Sequence, residues 1–167
     1  MATPDEGSRT ALVRAFYEYS TGRDLVQALA DEEYVRAGQA AFGHLAAPGF
    51  EFVLVRGEGG EQGIYPGTQG LVTGMRDWLA SFGSYVTAVE DVIDLGGRVL
   101  VLTAERGVSR AGKVPITQHG AVIWSFRGLK VSRVETYLRR STAVEALTPA
   151  ERMRLETATP APTRAVD

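Results

Sequence analysis

Residues 98–140 read RVLVLTAERGVSRAGKVPITQHGAVIWSFRGLKVSRVETYLRR. Three stretches rich in β-branched and aromatic residues, Arg98–Ser109, Val114–Phe126 and Lys130–Arg140, are separated by two short polar breaks that each hold a glycine, Arg110–Lys113 and Arg127–Leu129. This spacing predicts long strands joined by tight turns, and therefore antiparallel neighbours. Upstream, Tyr85–Asp94 alternates as one more strand, and Gly96-Gly97 turns the chain into Arg98. The apolar run Val99–Leu102 marks its strand as central.

Before Tyr85 the period changes. Leu12, Val13, Phe16 and Tyr19 recur at helical spacing behind Ser8, a candidate N-cap, and Thr21-Gly22 ends that helix. A second helical stretch covers about Asp24–Leu45. Gly38 and Gly43 weaken it, so two shorter helices are the alternative. Ala47-Pro48-Gly49 is a break, Phe50–Val55 a strand and Gly57–Gly63 a loop. Thr68 or Gln69 opens a third helix to about Phe82, with Leu71, Met75, Trp78 and Leu79 on one stripe. A last helix over Ser141–Arg154 is divided by Pro149. The order α-α-β-α-β-β-β-β predicts an α+β fold: a curved antiparallel sheet wrapped around N-terminal helices, forming a cone with an internal pocket.

The whole chain has 167 residues, which suits one domain, placed at residues 8–148. A polar N-terminus over 1–7 and an extension over 149–167 flank it, with disorder expected in the first and from about Thr157 in the second. Eighteen Lys+Arg against twenty Asp+Glu leave no bulk positive charge for a nucleic-acid partner. Cys is absent, which excludes disulfides, thiolate catalysis and Cys-ligated metals, and two histidines, His44 and His119, cannot make a three-His site within one chain. No metal and no cofactor is expected. No basic-then-apolar leader and no apolar run of about 20 residues occurs, so the expected location is the cytoplasm, without a membrane partner.

Several segments carry a likeness. Phe50-Glu51-Phe52 opens a strand. Tyr65-Pro66-Gly67-Thr68-Gln69-Gly70-Leu71 leads into the helix holding Trp78. Ile93-Asp94-Leu95-Gly96-Gly97-Arg98-Val99 is a hairpin, Ala121–Arg127 with Lys130-Val131 a second, and Val134–Arg140 precedes Ala143–Leu147. In order and spacing these resemble the SnoaL-like branch of the NTF2-like superfamily over roughly residues 8–148. The resemblance implies the cone fold, a hydrophobic small-molecule ligand and a homodimer formed through the outer sheet face that carries His119 and Ile123. It implies either a cofactor-independent isomerase, cyclase or hydrolase, or a non-catalytic dimerisation or partner-binding module, because one fold hosts many functions.

The residues narrow the chemistry. Ketosteroid isomerases of this fold place a Tyr and two Asp where Phe16, Phe52 and Val122 stand here, and apolar groups cannot move a proton. Epoxide hydrolases and cyclases of the fold place an Asp on the last strand. By alternation Ser132, Val134, Thr136 and Leu138 face inward there, and Glu135 would qualify only through a bulge. Glu105 and Arg106 are adjacent, so one of them enters the cone and the other does not. His119, an acid–base candidate, points away from the pocket by alternation from Val122 and Trp124, and His44 sits at a helix end. The catalytic candidates are Arg106, Glu105, Glu135 and His119. Tyr17, Phe52, Trp78, Gln118, Val122, Trp124 and Thr136 are the candidate ligand-binding wall, together with Tyr65, which either covers the mouth or anchors a turn. Gly57–Gly63 is not a dinucleotide loop: Gln62 replaces its third glycine and Glu58 and Glu61 would repel phosphate.

Overall fold

The computed structural model describes residues 4–57, 59 and 61–158. The chain runs α1 (Pro4–Ser20), α2 (Leu25–Ala30), α3 (Glu32–Gly43), β1 (Ala46–Arg56), β2 (Glu61–Pro66), α4 (Gly67–Leu79), β3 (Phe82–Asp94), β4 (Arg98–Ser109), β5 (Pro115–Arg127), β6 (Lys130–Tyr137), α5 (Arg140–Glu145) and α6 (Pro149–Ala158). The six strands form one sheet in the order β2-β1-β6-β5-β4-β3. It is a curved, unclosed sheet with helices α1 to α4 inside the curve, the α+β cone expected.

The second helical stretch is two helices, but the glycines do not divide it. Asp31 does: its carboxylate accepts from the backbone N–H of Glu33 and Tyr34 and starts α3, just as Asp24 starts α2 by accepting from Val26. α1 begins at Pro4, ahead of the expected cap at Ser8, and α6 continues through Ala158. The remaining terminal positions of those expectations, 1–3 and 159–167, lie outside the described residues, as do Glu58 and Gly60 of the expected loop.

Three strand expectations change. β1 begins before the Pro48-Gly49 break, which it absorbs as an irregularity between Ala46 and Glu51, with Gly49 at φ 77°. β1 also runs parallel to β6, so the sheet is mixed rather than antiparallel throughout. β2 was not foreseen. It is an edge strand paired only to β1 among the described residues, with Ile64 exposed, and it carries no apolar alternation to reveal it.

Each face of the sheet carries a buried cluster. On the concave face, Phe52, Leu54, Val99, Val101, Trp124 and Val134 pack with Val13 and Phe42 of the N-terminal helices. On the convex face, Val53, Ile93, Leu100 and Ile123 pack with Ala143 and Leu147 of the C-terminal segment. α6 is anchored there by Glu151. Its carboxylate takes two hydrogen bonds from Arg98 of β4, at 2.8 and 2.6 Å, and a third from the backbone N–H of Thr148, while Glu151 N–H donates to the Thr148 hydroxyl. Thr148-x-x-Glu151 is a capping box. The expected pairing face around Ile123 is thus occupied from within the chain: Ile123 is 0% exposed. Among the described residues no helix is long and apolar enough to cross a membrane.

Candidate functional site

The site follows from register. β4 and β5 pair Val99 with Trp124, Val101 with Val122, Thr103 with Gly120 and Glu105 with Gln118. β5 and β6 pair Val122 with Thr136 and Trp124 with Val134, and β1 sets Phe52 beside Val134. Directly paired residues share a face, so all of these belong to the concave surface. Opposite them stand Phe16 and Tyr17 of α1, Tyr34 and Phe42 of α3, and Leu71, Met75 and Trp78 of α4, enclosing a cavity of about 150 Å³. At one edge Tyr19, 45% exposed, stacks on Tyr34 with Arg23 over both rings.

The Glu105–Arg106 alternative is resolved by this register. Glu105 faces the cavity and is 2% exposed, whereas Arg106 is exposed on the other side. Three neutral donors hold the Glu105 carboxylate. Tyr85 O–H and Gln118 Nε2 both donate to Oε2 at 2.5 Å, and the Thr103 hydroxyl donates to Oε1 at 3.1 Å. Gln118 Nε2 also donates to the Tyr85 hydroxyl at 2.8 Å. Burial and the adjacent Glu105 raise the pKa of Tyr85, so it stays a donor. Gly120 fits close against Oε1: a Cβ there would lie 3.0 Å from that oxygen and from the Thr103 hydroxyl oxygen, and 2.9 Å from the Tyr137 carbonyl oxygen.

A second polar group faces the same space. Trp124 Nε1–H donates to the Tyr17 hydroxyl at 3.2 Å. That oxygen is an acceptor in this bond, so its own proton can go to a ligand. Burial chiefly, with a contribution from Glu105, raises the Tyr17 pKa and keeps the proton in place. Phe16 packs edge-on to both Tyr17 and Trp124.

The remaining candidates have other partners. Glu135 lies on the convex side, held by Arg133 at 3.0 Å and near Arg98 at 3.8 Å. There is no bulge at that position of β6 to turn it inward: β6 keeps regular register with β1 from Arg133 to Tyr137. His119 is exposed and pairs with Glu90, which also takes a bond from Arg140. His44 is the residue after α3, and its carbonyl accepts from Lys130. Tyr65 does not line the cavity. Its ring packs against Phe52 beneath α4, where a Cβ on Gly74 would meet both rings and one on Gly70 the Tyr65 backbone. No group of three or more His, Asp or Glu able to hold a metal occurs among the described residues.

Tyr85 is the participant that sequence reasoning missed. It stands near the start of its strand and shares a face with Glu105 only because β3 pairs with β4 through a register shift between Val89 and Asp91. Its signal is indirect: the cross-strand partner of Tyr85 is Gly107, two positions from Glu105 on the same face.

No protein-family model matches the chain, and no curated protein matches it. Solved structures do. A protein from Jannaschia sp. CCS1 designated a SnoaL-like polyketide cyclase superposes with a TM-score of 0.61 at 13% identity, over 89% of this chain and 97% of that one. An NTF2-like protein from Anabaena variabilis gives 0.55 at 20% identity, over 82% and 92%. TerC, co-crystallized with polyporic acid, gives 0.51 at 20% identity, over 72% and 92%. The cone and its enclosed cavity are therefore the NTF2-like fold. At 13% to 20% identity the likeness is one of fold, and the matched structures include a SnoaL-like protein, the branch that the motifs of the sequence resemble.

Proposed function

We propose that the chain binds a small hydrophobic molecule in the cone and transforms it by proton transfer at Glu105, without a cofactor. The observation that carries this reading is the buried carboxylate aimed into an otherwise apolar cavity. Engineered apolar cavities of about 150 Å³ take up benzene, so a pocket of this volume suits a single ring. TerC, similar in fold, was co-crystallized with polyporic acid, which supports a small-molecule ligand for this chain.

The chemistry follows from the hydrogen bonds. Oε2 of Glu105 is committed to Tyr85 and Gln118, while Oε1 takes one bond, from Thr103, which lines the cavity with Glu105. Oε1 is the proton acceptor. The electrons left on the ligand by loss of its proton move toward an oxygen, and the Tyr17 hydroxyl is the donor available to stabilise that oxygen. Protonated Glu105 then returns its proton at another ligand atom, which completes an isomerisation with no net exchange of atoms.

The test is solvent deuterium exchange followed by NMR, on a panel of small aryl ketones. The expected result is catalysed exchange that falls about 100-fold or more in Glu105→Gln. Equal rates in the two proteins would refute the reading. The alternative, a non-catalytic pairing module, has the exposed end of the convex face near His119 and Arg106 to work with, but gives no role to a carboxylate held inside the cone.

A further inference from the structure

Glu105 is the one charged side chain lining the cavity among the described residues. Its three donors are neutral, and none of the ion pairs among the described residues includes it. A buried charge is ordinarily paired, and one held only by neutral dipoles favours whatever brings positive charge to it. The rest of the wall adds to this preference. Tyr17, Trp78 and Trp124 present aromatic surface, whose faces are electronegative, and no Lys, Arg or His lines the cavity.

We infer that the pocket selects its ligand by charge. It accepts single-ring compounds with a cationic or neutral donor group at the leading end, an ammonium best of all, and rejects carboxylates and phosphates of the same shape. The inference rests on the small-molecule reading above and names its substrate class: a non-anionic hydrophobe whose N–H or O–H meets Glu105 Oε1. An anionic ligand would place its charge against Glu105 with no cation in the wall to offset it. An ammonium makes a charge-assisted hydrogen bond to the carboxylate, while the ring occupies the aromatic wall.

The experiment is titration calorimetry at pH 7 with benzylamine, benzyl alcohol and benzoate, three probes of nearly one frame, against the full chain and its Glu105→Gln variant. In the unaltered protein benzylamine should bind at least tenfold tighter than benzyl alcohol, and benzoate should bind least. In Glu105→Gln the amine preference should collapse to within about threefold of the alcohol, roughly the scatter expected from a neutral hydrogen bond alone. Benzoate binding as tightly as benzylamine would overturn the inference and leave the small-molecule reading standing. An amine preference that survives Glu105→Gln would overturn the assignment to Glu105. Binding of none of the three would overturn both readings together. Where Glu105→Gln does not fold, benzoate against methyl benzoate on the unaltered protein still decides: the ester should bind at least tenfold tighter.

Discussion

Replacing Gly74 by Ala sets two effects of known size against each other. In a helix interior Ala is favoured over Gly by about 1 kcal/mol. Against this, a Cβ on Gly74 would lie 2.5 Å from Phe52 Cδ1, 2.7 Å from Phe52 Cε1 and 2.8 Å from Tyr65 Cδ2. Carbon atoms pack at about 3.5–4.0 Å, so the ring or the helix must yield by about 1 Å. Phe52 is 2% exposed and packs against Tyr65, so its ring can yield only by moving into the cavity that it lines. Overpacking of this kind costs about 1–3 kcal/mol, and contacts with two rings argue for the upper half of that range. The net expectation is a loss of about 1–2 kcal/mol, which lowers Tm by about 2–8 °C in a chain of this size. Gly38 is the matched control. It too is inside a helix, but a Cβ there meets nothing nearer than Tyr19 Cε1 at 3.9 Å. Gly38→Ala should therefore raise stability by about 0.5–1 kcal/mol and Tm by about 1–4 °C. Thermal unfolding followed by circular dichroism reads both variants. A Gly74→Ala protein as stabilised as Gly38→Ala would refute the claim that this glycine sets the approach of α4 to the sheet.

Two further outcomes are expected. Arg98 holds the Glu151 carboxyl below the usual carboxylate range, so the pair contributes stability that is present above that range and lost as pH falls through it. Glu151→Gln should cost about 1–3 kcal/mol at pH 7, with the gap to the unaltered protein in urea titrations narrowing as pH falls below the usual carboxylate range. A gap that does not change with pH would count against the ion pair. Leu147→Ala should cost about 2–5 kcal/mol and increase binding of a hydrophobic dye, because Leu147 packs with Ile123 and Leu100 on the convex face. Unchanged dye binding would mean that the segment does not seal that face.

Much of the fold was legible because it rests on local signals. Period-two runs, glycine turns and the helix stripe at Leu71, Met75 and Trp78 each state their element within a few residues. The wall of the site was legible for the same reason, since Val122 and Trp124 follow from alternation along β5 and Thr136 from alternation along β6. The choice between Glu105 and Arg106 was not legible. β4 is apolar on both sides, so its own pattern does not say which side is concave, and only pairing of Glu105 with Gln118 decides it. Tyr85 is a contact across 20 residues and a register shift. β2 lacks a pattern because an edge strand with one solvent side needs none. The cover on the convex face was legible in part: the helical stretch over Ser141–Arg154 and its division at Pro149 follow from local pattern, but the bond from Arg98 to Glu151 spans 53 residues.

The arrangement of α5 and α6 has a consequence for how the convex surface of the sheet is kept dry. An apolar face covered by a second molecule is covered only in proportion to the concentration of that molecule, and it is exposed on dilution. Here Ala143 and Leu147 are delivered by the same chain that displays Ile123, so the local concentration of the cover is set by a few residues of tether. The seal around Ile123 is therefore as complete in a single molecule as in a crowded solution.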